Sequence, residues 1–123
     1  QVLNLFKESK RLLKNLVQNR KDIQNEIDGV LDEEIINNVL SESEIDEEFY
    51  YEKCNYILKK LKEFQSANSD KDLEMFKNQF RDKIQNKAYF KDLIPFFFKY
   101  VLNSLEKVHE EKADFLEFIK KNM

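Results

Sequence analysis

Glycine and proline are almost absent from this sequence, and their absence limits the possible folds more than any other feature. The 123 residues include one Gly and one Pro. A protein built from strands and tight turns needs turn residues about every 8–12 positions, and this chain lacks them. Hydrophobic residues make up 41% of the chain and charged residues 37%, which is enough for a core with a well-solvated exterior. We therefore predict an all-α fold, an antiparallel four-helix bundle that forms a single domain over residues 1–123.

Apolar residues at three- and four-residue spacing predict where the helices lie. The first helix is predicted from Val2 to about Val30, with a bend or break at Gly29, because glycine weakens a helix by about 1 kcal/mol. A short extra helix is predicted near 32–40. A second long helix is predicted over about 44–65, and a third that follows an N-cap at Ser69 or Asn68 and ends near Lys87. The inner stripe of the last helix is predicted to run from Phe98 through Phe115 and Leu116 to Ile119.

The single proline, Pro95, precedes three consecutive phenylalanines in the stretch KDLIPFFFKYVL. We place Pro95 in the first turn of the last helix, where its missing N–H has no energetic cost. The alternative is a continuous helix that is kinked at this residue.

The phenylalanine run supplies more apolar surface than one core-facing stripe requires. Successive helix residues are rotated by about 100°, so the three rings cover an arc of about 200°. Either this part of the helix is enclosed on several sides, or an apolar patch is exposed to a membrane or a protein partner. Nearby lysines could contact anionic headgroups. The predicted membrane or partner contact consists of Phe96, Phe97, Lys91 and Lys99.

The charge distribution is uneven, and residues 22–52 contain twelve acidic residues and no Lys or Arg. One interpretation is that this block solvates one end of the bundle and pairs with lysine-rich helices. The other is that it attracts a basic partner. The predicted acidic partner surface consists of Asp32, Glu33, Glu34, Glu47 and Glu48.

The residues most often used in catalysis or metal binding are scarce. Glu106 and His109 have the Glu-x-x-His spacing of di-iron proteins, but such a site needs two of these motifs, and the chain has one His. A phosphate-accepting role for His109 is disfavoured by the adjacent Glu110 and Glu111, and the lone Cys54 is expected to be a core residue. We predict no catalytic residue, metal or cofactor. The net charge of −3 disfavours nucleic-acid binding.

The composition of the whole chain and its stretches QVLNLFKESK and EFYYEKCNYILKK resemble small secreted helical-bundle proteins of apicomplexan parasites. The resemblance is to those that malarial sporozoites need for cell traversal. It implies secretion from apical organelles and a role in breaching host cell membranes, and it implies that the chain is a fragment or a trimmed mature form. No catalytic motif comes with it, so no residue role is transferred.

Two functional hypotheses follow from these observations. The first is a secreted, non-enzymatic effector that engages a host membrane or a host protein through the phenylalanine run. The second is a cytoplasmic adaptor domain that holds a basic partner on its acidic surface. The oligomeric state is left open by the sequence.

Overall fold

The structure, a computed structural model, describes residues 2–122 and contains only helices over that range. The prediction of an all-α fold is confirmed. The six α-helices are α1 (Val2–Asn15), α2 (Lys21–Val30), α3 (Glu33–Leu40), α4 (Glu47–Phe64), α5 (Asp70–Gln85) and α6 (Phe90–Lys121), and a short 3₁₀ turn, Ala67–Ser69, precedes α5.

The predicted continuous first helix is wrong, because the chain turns over residues 16–20 and α2 folds back beside α1. The backbone N–H groups of Leu16 and Val17 bond three residues back rather than four, which tightens the last turn and ends α1. An ion pair of 2.8 Å between Lys14 and Asp28 joins the two helices after the turn. Gly29, the predicted break, lies inside α2 just before its end. The short extra helix predicted near 32–40 is present as α3.

The predicted position of Pro95 is also wrong. The last helix begins at Phe90 with Tyr89 as its N-cap, so Pro95 lies beyond the first turn, inside a helix that continues to Lys121. The proline is exposed, so its ring faces water and does not disturb the core side of the helix. The helix is therefore continuous through Pro95, as the alternative expected.

One core is shared by α1, α4, α5 and α6, and α6 contacts each of the other three. Ring contacts show that α5 runs antiparallel to α6, as expected for helices joined by a short connection. In contrast, α1 runs parallel to α6: Phe6 lies against Phe98, and the Leu12 carbonyl, further along α1, lies against His109, further along α6. The return of the chain through α2 and α3 makes this parallel arrangement possible.

Side chains from α6 satisfy backbone carbonyls at the C-terminal end of α1. In a longer helix the Leu16 N–H would bond to the Leu12 carbonyl, but here it bonds to Leu13 instead. Nε2 of His109 lies 3.0 Å from the Leu12 oxygen, and Nζ of Lys112 donates to the Leu16 oxygen at 3.1 Å. The positive charge of Lys112 also opposes the negative end of the α1 dipole. These two contacts fix the point at which α1 stops.

We predict that His109→Ala lowers the free energy of unfolding by about 1 kcal/mol, because the Leu12 carbonyl loses its hydrogen-bond donor. Urea denaturation, followed by circular dichroism, measures this change in the free energy of unfolding. Glu106→Ala, at an exposed position of the same helix, is the control and should have little effect. Equal stability of the two variants would show that the His109 contact does not stabilise the end of α1.

Candidate interaction surfaces

Most of the phenylalanine run belongs to the core. Phe97 and Phe98 are fully buried, and their rings meet edge to face with centroids 5.0 Å apart. Phe97 also packs on Phe80 of α5 at 5.1 Å, and Phe98 on Phe6 of α1 at 5.0 Å. The prediction that Phe97 contributes to an exposed contact is therefore wrong. Helices on two sides of α6 enclose this ring, which is the enclosed alternative considered for the sequence.

The other predicted contact residues lie at the surface but do not form one patch. Phe96 is half-buried, with its ring 5.1 Å from Phe76 and the Lys83 ammonium 4.9 Å from its centroid. Lys91 is exposed and lies over the ring of Tyr89, about two turns away from Lys99 along the helix. Phe96 and Lys99 share a surface feature, since both line the groove described next.

A groove of about 570 Å³ lies between α5 and α6, and aromatic rings form its floor. The rings of Phe76 and Tyr100 stack with centroids 4.0 Å apart and planes 5° from parallel, and Phe96 completes the floor. Polar residues surround this apolar base. They are Gln65, Ser69, Asp72, Lys99, Asn103, Ser104, Lys107 and Glu111, with Val108 at one end.

The polar residues around the α5–α6 groove carry both signs of charge. Asp72 and Glu111 are acidic, whereas Lys99 and Lys107 are basic. Burial raises the pKa of Tyr100, and the charge of Asp72 adds to this effect, so the hydroxyl stays neutral. Such a site can take an apolar group on its floor and pair polar or charged groups of either sign around it.

We predict that Phe97→Ala lowers the free energy of unfolding by about 3–5 kcal/mol, because it leaves a cavity in the core. Phe96→Ala is the matched comparison and should have a clearly smaller effect, since its ring is only half-buried. Chemical denaturation of both variants provides the measurement. An equal or larger loss for Phe96→Ala would contradict the packing described for the two rings.

The predicted acidic surface separates into structural and free carboxylates. Asp32 is the N-cap of α3 and accepts hydrogen bonds from the backbone N–H groups of Glu34 and Ile35 at 2.9 and 3.1 Å. Glu33 lies 3.9 Å from Lys10. Glu34, Glu47 and Glu48 are exposed and form no ion pair within residues 2–122. Part of the block therefore pairs with lysines of the bundle, as the first interpretation expects, and other carboxylates remain exposed.

A buried lysine connects the acidic block to α4. Nζ of Lys60 lies 3.1 Å from carboxylates of both Glu26 and Glu63, and its side chain is only 7% exposed. The Tyr56 hydroxyl donates to Glu26 at 3.1 Å. The hydrogen bond from Lys60 holds the pKa of the Glu26 carboxyl below its usual value. This network joins α2 to α4.

The lowered pKa of Glu26 predicts a contribution to stability that depends on pH. A depressed folded-state pKa stabilises the fold above the usual glutamate pKa of about 4.5, and this contribution disappears as the pH falls through the folded-state value. We expect Glu26→Gln to lose less stability than the parent between pH 6 and about pH 3. Thermal melts of the parent and of Glu26→Gln across this pH range measure the difference in stability, with Glu106→Gln as the control. Parallel curves for the parent and Glu26→Gln would contradict the prediction.

The histidine and the cysteine are both held in the packed structure. His109 is half-buried and its Nε2 contacts the Leu12 carbonyl, as described above. Cys54 is fully buried, and burial raises the pKa of its thiol, which disfavours the reactive thiolate. Within residues 2–122 no group of three or more His, Cys, Asp or Glu side chains is placed to hold a metal ion.

One exposed surface was missed by the sequence analysis. The end of α6 carries Phe115, Leu116 and Phe118, which are 61%, 51% and 63% exposed. Two of them lie on the apolar stripe of the helix and were assigned to its buried face. Helix length was the available signal, since 32 residues make about 48 Å of helix whereas the 16 residues of α5 make about 24 Å.

Comparisons with protein-family models, with curated proteins and with solved structures found no match to this chain. None of the helices over residues 2–122 combines the length and the apolar character needed to cross a membrane.

Proposed function

We propose that this chain is a non-enzymatic binding protein that engages a protein partner through the α5–α6 groove. The observation that carries the proposal is the floor of this groove, where Phe76, Phe96 and Tyr100 form an apolar base open to the surface. Concave sites with an apolar floor and a few polar groups accept the anchor side chains of binding partners. Two residues predicted as contacts, Phe96 and Lys99, line it.

The shape and charge of the groove favour a protein over a membrane. Segments that lie on anionic bilayers present an apolar face flanked mainly by Lys and Arg. This groove is concave, and both acidic residues, Asp72 and Glu111, and basic residues, Lys99 and Lys107, line it. Phe97, which would have been needed for a continuous apolar membrane face, is in the core. A polypeptide that carries an apolar anchor and charges of both signs fits these features better.

The resemblance to secreted apicomplexan helical-bundle proteins supports a particular setting for this binding. In that setting the chain is a secreted effector, and its partner is a host protein met during cell traversal. The resemblance rests on the composition and on the two stretches quoted above, and the setting is part of the proposal.

A second candidate function is favoured by the free carboxylates of Glu34, Glu47 and Glu48. Unpaired charges of one sign attract a basic partner and accelerate its encounter at low salt. In this case the chain is an adaptor in the cytoplasm. Asp32 is unsuited to testing it, because neutralising this N-cap would weaken α3 by about 1 kcal/mol irrespective of binding.

Saturable binding of the fluorescently labelled protein to cultured mammalian cells, measured by flow cytometry, tests the proposal. We expect Asn103→Trp to abolish binding, because Asn103 is an exposed residue lining the groove and the indole would occupy it. Glu106→Trp, which adds the same side chain outside the groove, should bind like the parent. Binding should also be lost after the cells are treated with trypsin, since the proposed partner is a protein.

Three outcomes would contradict the groove proposal. Equal binding of Asn103→Trp and the parent would exclude the groove as the contact. Binding that survives trypsin, together with flotation on anionic liposomes, would assign the contact to lipid. Binding that is kept by Asn103→Trp but lost when Glu34, Glu47 and Glu48 are changed to Gln would assign it to the acidic surface.

A further inference from the structure

The last third of α6 extends beyond the bundle. Val108 is the last buried residue of the helix, and every residue over 110–118 is exposed. The thirteen residues from His109 to Lys121 make about 20 Å of helix. The bundle contacts this segment, which we call the α6 extension, at its start, where His109 and Lys112 bond to the Leu12 and Leu16 carbonyls. Beyond those contacts, residues 113–118 are all exposed. A large apolar surface left open in this way marks a contact with another molecule.

The apolar side chains of the α6 extension form one continuous face. At about 100° per residue, Phe115 and Ile119 lie in line with buried Val108, and Leu116 and Phe118 flank them on either side. The face spans an arc of about 160°, which is wide enough to cover one neighbouring helix. This face therefore continues the buried apolar stripe of α6 beyond the point where the other helices of the bundle end.

Charge along the α6 extension favours a second, antiparallel copy as that neighbour. Its first half carries Glu110, Glu111, Lys112 and Asp114, a net charge of −2, and its second half carries Glu117, Lys120 and Lys121, a net charge of +1. Two parallel copies would place like charges side by side, whereas antiparallel copies place the acidic half of each against the basic end of the other. A two-fold axis near Leu116 brings Glu111 of one copy level with Lys121 of the other.

The bundle end offers a place for the tip of the second copy. A groove of about 500 Å³ lies where the α6 extension leaves the bundle, and Leu16, Phe64, Val108 and Phe115 form its apolar lining. In the antiparallel arrangement the partner's last turn reaches the level of Glu111, which also lines this groove. The apolar face of the second copy's α6 extension can therefore pack on the same face of the first copy and also cover this groove.

The geometry points to a reversible homodimer in which two α6 extensions pack antiparallel around a two-fold axis. Phe115, Leu116 and Phe118 of both copies together supply about 600–700 Å² of apolar surface, taking roughly 200 Å² for a whole aromatic side chain. With flanking polar groups and the groove, the interface reaches about 1,000–1,200 Å², the size of the smaller specific interfaces. The groove at the bundle end shares Gln65, Val108 and Glu111 with the α5–α6 groove proposed for the partner, but Phe115, Leu116 and Phe118 lie outside that second groove.

Sedimentation equilibrium of the full chain over about 5–500 μM tests the dimer. We expect the parent to shift with concentration from 14.9 kDa to twice that mass. Phe118→Ser, at an exposed position that should not affect folding, is expected to raise the dissociation constant about tenfold or more. Met75→Ser removes an equally exposed apolar side chain from α5 and should leave the dissociation constant unchanged.

Charge reversal tests the antiparallel register. Glu111→Lys and Lys121→Glu should each weaken the dimer, and the double variant should restore it, because the two positions face each other across the two-fold axis. Restoration would support the arrangement independently of the apolar contact.

A parent chain that stays monomeric at the highest concentration would overturn the proposal. Dimerisation of Phe118→Ser with the parent's affinity would overturn it as well. So would a rise in the dissociation constant of Met75→Ser equal to that of Phe118→Ser. A monomer that floats with anionic liposomes would assign the α6 extension to a bilayer instead.

Discussion

The burial of two neighbouring rings, Phe97 and Phe98, is the interaction on which the rest of the bundle depends. Phe97 faces α5 and Phe98 faces α1, so α6 joins helices that do not follow one another in the chain. Rings of this size contribute more buried apolar area than any other side chain, and their edge-to-face contacts add directional preference. Once α6 is fixed in this way, α4 and α5 complete the core around it.

The same packing determines which parts of α6 remain available to other molecules. Phe96 is rotated by about 100° round the helix from Phe97. Its ring therefore contacts Phe76 of α5 at the edge of the core, and the α5–α6 groove stays open over these rings. Further along, α1 and α4 end while α6 continues, so the apolar stripe emerges into solvent. The groove and the α6 extension both arise because a single helix is longer and more apolar than its neighbours require.

Helix content could be predicted from the sequence because the signals are local. Regular apolar spacing and the lack of turn residues predicted the all-α class, and the apolar residues near 32–40 predicted the short helix that is present as α3. The turn over 16–20 could not be predicted, because it contains neither Gly nor Pro and its apolar residues fit a continuous helix equally well. It depends on contacts between residues distant in the chain, such as Lys14 with Asp28 and Lys112 with the Leu16 carbonyl.

The candidate surfaces were harder to predict than the fold. Three consecutive rings indicate too much apolar surface for one stripe, but only the positions of α1 and α5 determine that Phe97 is enclosed and Phe96 is not. The acidic block shows the same limit, since nothing local distinguishes Glu33, which lies near Lys10, from the unpaired Glu34. Burial and pairing are properties of the assembled helices.

Amide hydrogen exchange along α6, read at low protein concentration, tests the central claim that one helix has two environments. The account predicts slow exchange over 97–108, where helices enclose it, and exchange faster by several orders of magnitude over 112–121, where the α6 extension has no cover. Uniform protection along the whole helix would contradict the account. It would mean that the end of α6 is packed within the monomer and is not a free surface.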